Sequence, residues 1–119
     1  MKDTITTIND LKAIVKKYSE DRDWQQYYSP KNVSMQIATE AAELMELFLW
    51  VESKESFAEA EKRREAVEHE IADIAYGLIN FCNQTNIDLA AAFEKKMIHN
   101  AQKYPIEKAK GKRLKYTQL

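Results

Sequence analysis

The stretch Thr39–Trp50 reads TEAAELMELFLW. It sets Glu40, Glu43 and Glu46 among alanines, leucines and a phenylalanine, with no lysine or arginine between them. Good helix formers fill it and neither glycine nor proline breaks it, so it reads as helix. At about 100° per residue, Ile37, Ala41, Leu44, Met45 and Phe48 make one apolar stripe. The pattern returns further along the chain. Val67, Ile71, Ile74, Ala75 and Leu78 repeat the stripe, and Glu70 and Asp73 take the phase of Glu40 and Glu43. In each pair the members stand three residues apart and share a face.

Working outward from these two segments, punctuation is sparse. The chain holds two glycines and two prolines, and almost nothing interrupts a helix between Lys31 and Tyr104. No period-2 alternation argues for a strand. The pattern predicts an all-α domain of four helices. The first runs from about Ile8 to Asp23, opened by a capping box from Thr7 and Asp10. The second starts at Ser29-Pro30, an N-cap followed by an N1 proline, and continues to about Glu52. The third spans about Ser56 to Gln84. The fourth follows Asp88 as N-cap and stops before Pro105. Residues 105–119 read as an extended basic tail, and residues 1–119 as a single domain.

The acidic pairs carry the chemistry. Surface glutamates commonly find a base at i+3 or i+4, and Glu40, Glu43, Glu70 and Asp73 find none. No lysine or arginine occurs anywhere between Glu65 and Glu94. If the two helices pack antiparallel, the pairs meet. Carboxylates crowded at low dielectric must then stay protonated or be neutralised by a cation. An all-oxygen donor set favours a hard divalent ion, Mg²⁺ first and Mn²⁺ second. The simpler reading is that the four acids are solvated surface groups.

Composition narrows the partners. The chain has 119 residues, 45% of them hydrophobic, and a net charge of −1. That suits one folded domain and gives no argument for nucleic acid or an anionic membrane. No apolar run reaches the length of a membrane span. The N-terminal MKDTITTINDLK shows no apolar secretory core, and one cysteine, Cys82, sits in an apolar run. Both fit a cytoplasmic protein. The bases gather near the C-terminus: Lys95, Lys96, Lys103, Lys108, Lys110, Lys112, Arg113 and Lys115. Lys96, Asn100 and Lys103 share one face of the fourth helix. Acids that hold a metal, together with such bases, suit a substrate of several phosphates.

In this order the motifs resemble the all-α nucleoside triphosphate pyrophosphohydrolases of the MazG-like superfamily. That family is marked by ExxE, a spacer and ExxD. Here these are EAAE at Glu40–Glu43 and EIAD at Glu70–Asp73. DWQQYYSPKN resembles the family's segment before the first motif helix, LFLW its end, and KMIHNAQKYP the last helix. The closing KYTQL looks like the end of the dCTP pyrophosphatase branch. The resemblance implies an oligomeric four-helix fold, a homodimer or homotetramer. It also implies Mg²⁺-dependent cleavage between the α and β phosphates of a (d)NTP such as dCTP, giving the monophosphate and pyrophosphate. Glu40, Glu43, Glu70 and Asp73 would hold metal, with Glu40 or Glu43 also serving the attacking water. Lys96, Asn100, Lys103 and Tyr104 would contact phosphates. Trp24, Tyr28, Asn32 and Trp50 would line the rest of the substrate site. The implied role is house-cleaning of the nucleotide pool.

Three positions depart from the family pattern. Tyr28 stands where histidine is frequent, His69 where a second acid is frequent, and Gly77 where an aromatic is common, with Tyr76 beside it. These changes touch the base pocket more than the metal site. Two other readings compete. A di-iron bundle would need ExxH, yet Ala66 and Lys96 stand three residues before His69 and His99. A non-catalytic helical adaptor would leave the acids facing solvent or a partner.

Overall fold

The computed structural model describes Met1–Leu119 and contains helices and turns, with no strand. The α-helices are α1 (Ile8–Glu20), α2 (Pro30–Glu46), α3 (Ser56–Lys62), α4 (Arg64–Thr85), α5 (Leu89–Lys103) and α6 (Ile106–Ala109). Short 3₁₀ turns lie at Gln25–Tyr27, Ser53–Glu55 and Tyr116–Gln118. The chain divides into two compact units, Met1–Ile87 and Asp88–Leu119.

The helix starts follow the sequence signals. The Thr7 hydroxyl accepts from Asp10 N–H, and the Asp10 carboxylate accepts from Thr7 N–H at 2.9 Å. Ser29 Oγ accepts from Asn32 N–H at 3.1 Å, with Pro30 in the first turn. Asp88 accepts from Ala91 N–H at 2.9 Å. Each such cap satisfies an amide that the first turn leaves orphaned, contributing about 1 kcal/mol.

The helix ends differ from the sequence reading, and local turns with one long-range bond explain why. α1 stops at Glu20, because Asp23 turns left-handed (φ 52°) and Trp24 N–H reaches back to Ser19 C=O. α2 stops at Glu46 rather than near Glu52. Leu47, Phe48 and Leu49 tighten into i→i+3 bonds, and the freed Leu47 carbonyl accepts from Arg63 Nη1 at 3.0 Å. The same arginine leaves helical geometry (φ −108°, ψ 31°) and splits the expected third helix into α3 and α4. The C-terminal segment is not extended throughout, since it forms α6 and the Tyr116–Gln118 turn.

In the first unit, α4 is the central element. It packs along α2 and, on another side, against α1. Val15, Val33, Ile79 and Cys82 are the buried apolar residues, and the Cys82 thiol is free. α1 is tied to α4 by Asn83 Nδ2 donating to Lys12 C=O (3.0 Å), and to the turn after α4 by Lys12 Nζ donating to Ile87 C=O (2.6 Å). α2 and α4 approach closely at one point. A Cβ on Gly77 would stand 2.8 Å from Ile37 Cγ1. Ile37 opposite Gly77, with Glu43 against Glu70, makes the pair antiparallel. The apolar stripes are only partly covered: Met45, Ile71 and Leu78 are 58%, 52% and 44% exposed.

Candidate active site

The antiparallel pairing of α2 with α4 carries the two acidic motifs to the same level. One carboxylate oxygen from each of Glu40, Glu43 and Glu70 lies within 4.8 Å of the others. Glu40 and Glu70 are half-buried and Glu43 is exposed. Desolvation is the main reason that both Glu40 and Glu70 are pushed above the ordinary glutamate range. Next comes repulsion by Glu43, which also stands in hydrogen-bonding reach of each. The charge of Asp73 raises both further, while His69 partly offsets the effect on Glu70. Within the Met1–Ile87 unit, no lysine or arginine is among the groups that shift Glu40 or Glu70.

The donor set fits a hard divalent cation. Glu70 Oε2 is buried with no hydrogen-bond partner, a cost that a coordinated ion would remove. The oxygens are clustered, and their mutual repulsion disfavours three ionised groups in the absence of positive charge. Glu40, Glu43 and Glu70 are therefore the residues that could hold a metal. Asp73 is not in that set of three. It acts on it through charge, and its side chain also lines the neighbouring pocket.

That pocket, about 400 Å³, is lined by Tyr18, Trp24, Tyr28, Gln36, Asp73 and Tyr76, together with Ile14 and Val15. Tyr28 and Tyr76 join hydroxyl to hydroxyl at 3.1 Å. Burial and this bond push the Tyr76 phenol well above its usual range, so it stays protonated. Tyr18 stands edge-on to Trp24 and to Tyr76, at ring-centroid distances of 5.8 and 6.0 Å. The Arg22 guanidinium covers the Tyr18 ring at 3.6 Å. Flat aromatic walls with an acid and an amide at hand suit a planar heteroaromatic ring.

Of the expected substrate residues, Trp24 and Tyr28 line this pocket. Asn32 instead donates from Nδ2 to Tyr27 C=O at 3.1 Å, bracing the turn that presents Tyr28. Trp50 lies outside the pocket and is 94% exposed. Lys96, Asn100 and Lys103 lie on α5 and Tyr104 caps it, its N–H bonded to Asn100 C=O. Sequence reasoning missed Tyr18 and Gln36, and named Tyr76 only as the neighbour of Gly77. Two of these had a signal: Gln36 stands four residues before Glu40 and Tyr76 three after Asp73, on the same faces.

Residues 35–119 match the MazG-like family. Over 115 residues the chain is 32% identical to dCTP pyrophosphatase 1 of Rattus norvegicus, covering 95% of this chain and 68% of that one. It is 30% identical over the same length to dCTP pyrophosphatase 1 of Homo sapiens. A crystal structure of a pyrophosphatase from Archaeoglobus fulgidus superposes with a TM-score of 0.81 at 35% identity, covering 88% of this chain and 98% of that one.

Proposed function

This chain belongs to the MazG-like family and is a nucleotide pyrophosphatase; on that premise we propose that it uses Mg²⁺ to cleave a nucleoside triphosphate between the α and β phosphates. The products are the monophosphate and pyrophosphate, and dCTP or a related nucleotide is the substrate. The observation that carries this reading is the unrelieved cluster of Glu40, Glu43 and Glu70 beside an aromatic pocket that shares Asp73. Glu40, Glu43 and Glu70 would hold the metal, and Asp73, whose charge acts on the cluster, would join them as the fourth ligand. Mg²⁺, with Mn²⁺ as a substitute, supplies Lewis-acid polarisation and neutralises phosphate charge when bound.

The chain's own groups do the rest. Glu40 or Glu43 accepts the proton of the attacking water or orients it, a role open to a carboxylate because a metal lowers the pKa of water it holds. The α–β bridging oxygen leaves with pyrophosphate. Trp24, Tyr28 and Tyr76 receive the base. Lys96, Asn100, Lys103 and Tyr104 bind phosphate oxygens.

The active form is a homodimer or homotetramer in the cytoplasm. Few apolar side chains are buried in the single chain, while Trp50 and Phe57 stand 94% and 86% exposed. That is more uncovered apolar surface than a chain of this size usually carries. No helix is long and apolar enough to cross a membrane.

The deciding experiment is a panel of dNTPs and NTPs with Mg²⁺, scored for pyrophosphate. Stoichiometric pyrophosphate and monophosphate, with dCTP leading, is expected. Release of orthophosphate alone would place the cut elsewhere, and no turnover of any nucleotide would favour a non-catalytic adaptor.

A further inference from the structure

We propose that Tyr116 is a positioning residue that holds Lys103 and Tyr104 ready for the polyphosphate; the proposal rests on the nucleotide reading above and concerns only the Asp88–Leu119 unit. Three side chains meet there. Lys103 Nζ lies 4.6 Å from the centroid of the Tyr116 ring, over its face. The Tyr104 ring meets the same ring edge-on, with centroids 6.0 Å apart at 82°. Tyr116 opens the Tyr116–Gln118 turn, so the chain leaves α5 at Tyr104 and returns to it twelve residues later. The loop between holds Lys108, Lys110, Lys112, Arg113 and Lys115.

The physical case follows from what a lysine needs to bind an anion. A free lysine loses rotamer freedom when it grips a phosphate. One already resting on an aromatic face has lost part of that freedom beforehand. The ring attracts the ammonium through its negative face. It occupies one side of the group and leaves N–H donors on the other for phosphate oxygens. The Tyr104 N–H is fixed to Asn100 C=O at 2.9 Å, so Asn100, Lys103 and Tyr104 move as one turn. Tyr116 locks that turn by holding the Lys103 ammonium on its ring face.

The test compares Tyr116→Ala, Tyr116→Leu and Tyr116→Phe in the full chain, with Lys103→Ala and the Tyr116→Ala/Lys103→Ala double variant. Two quantities are read: KM against kcat for the preferred triphosphate, and the Kd of inorganic pyrophosphate with Mg²⁺ by calorimetry. Losing the ring face should raise KM and Kd about fivefold, the weight of a partly exposed cation–π contact. The kcat should stay within about twofold, because the contact serves binding. Phe, which keeps the face, should restore KM and Kd; Leu, which keeps only bulk, should not. The double variant should bind no worse than Lys103→Ala alone, since Tyr116 acts through that lysine.

Wild-type KM and Kd in both Ala and Leu variants would overturn the proposal, as would additive losses in the double variant or a Phe variant as weak as Ala. Should the wild-type chain bind pyrophosphate yet hydrolyse no nucleotide, the proposed function falls and the Kd series still judges Tyr116. Should it hydrolyse nucleotides while the Tyr116 variants match it, the function stands and the clasp falls. A wild-type chain that shows neither pyrophosphate binding nor turnover overturns both.

Discussion

Glu68 and Glu70 sit two residues apart on α4 and lead opposite lives. At about 100° per residue they project to nearly opposite sides of the helix. Glu68 is 61% exposed and accepts from Arg64 Nε at 2.9 Å, one of a set in which Arg64 also meets Glu61 and Arg63 faces Glu59. Glu70 turns toward α2, meets Glu43 in place of a base, and keeps one oxygen buried without a partner. The same residue type is a solvated ion-pair member on one side of the helix and a strained, ligand-seeking group on the other. Position around the helix, not composition, separates them.

The largest expected effect breaks the comparison at its functional side. Glu43→Gln, Glu70→Gln or Asp73→Asn should lower turnover by at least about 100-fold, the scale on which metal sites respond to loss of supporting groups, with helical circular dichroism unchanged. Wild-type activity in any of these would remove that residue from the ligand set.

Next in size is the response to pH and metal. Glu40 and Glu70 have folded pKa values raised above the ordinary 4.5. Between the unfolded and the raised values, the folded state binds more protons than the unfolded one. The stability of the metal-free protein therefore falls as pH rises from about 4.5 through the raised values, and levels off above them. Mg²⁺ at about 100 times its Kd should add about 2.7 kcal/mol at neutral pH, and a chelator should reverse the gain. Thermal midpoints across pH, with and without Mg²⁺, check both. A metal-free midpoint that rises over that pH window would count against the crowded acids.

Gly77→Ala tests the approach of the two helices. The added methyl meets Ile37 Cγ1 at 2.8 Å, an overpacking cost of about 1–3 kcal/mol. Better helix propensity returns about 1 kcal/mol of it. A net loss of up to about 2 kcal/mol in denaturant unfolding is expected, together with weaker Mg²⁺ binding as α2 and α4 part. The smallest effect belongs to the solvated side: Glu68→Gln should stay within about 0.5 kcal/mol of wild type and keep full activity.

Much of the acidic site could be read from sequence, because helical periodicity alone decides which side a residue faces. Thr7, Ser29 and Asp88 announced their helix starts through side-chain chemistry that acts within three residues. The helix ends were hidden for the opposite reason. No glycine or proline marks Glu46 or Arg63; the break depends on Arg63 reaching the Leu47 carbonyl, sixteen residues away. Left-handed Asp23 likewise gave no glycine to notice. Tyr18 entered the pocket from α1, and one-dimensional periodicity says nothing about which helix lends a wall to another. Tyr76 and Gln36 were within reach, since each shares a face with a motif acid.

The two tryptophans carry a practical consequence. Trp24 is wedged beside Tyr18 and the Arg22 guanidinium in the pocket, whereas Trp50 stands almost wholly in water in the single chain. Intrinsic fluorescence is thus a two-channel signal. A ring entering the pocket would quench the indole of Trp24, and a second copy of the chain, if it covered Trp50, would move its emission to the blue. One optical trace can then tell ligand capture from self-association, without any label being attached.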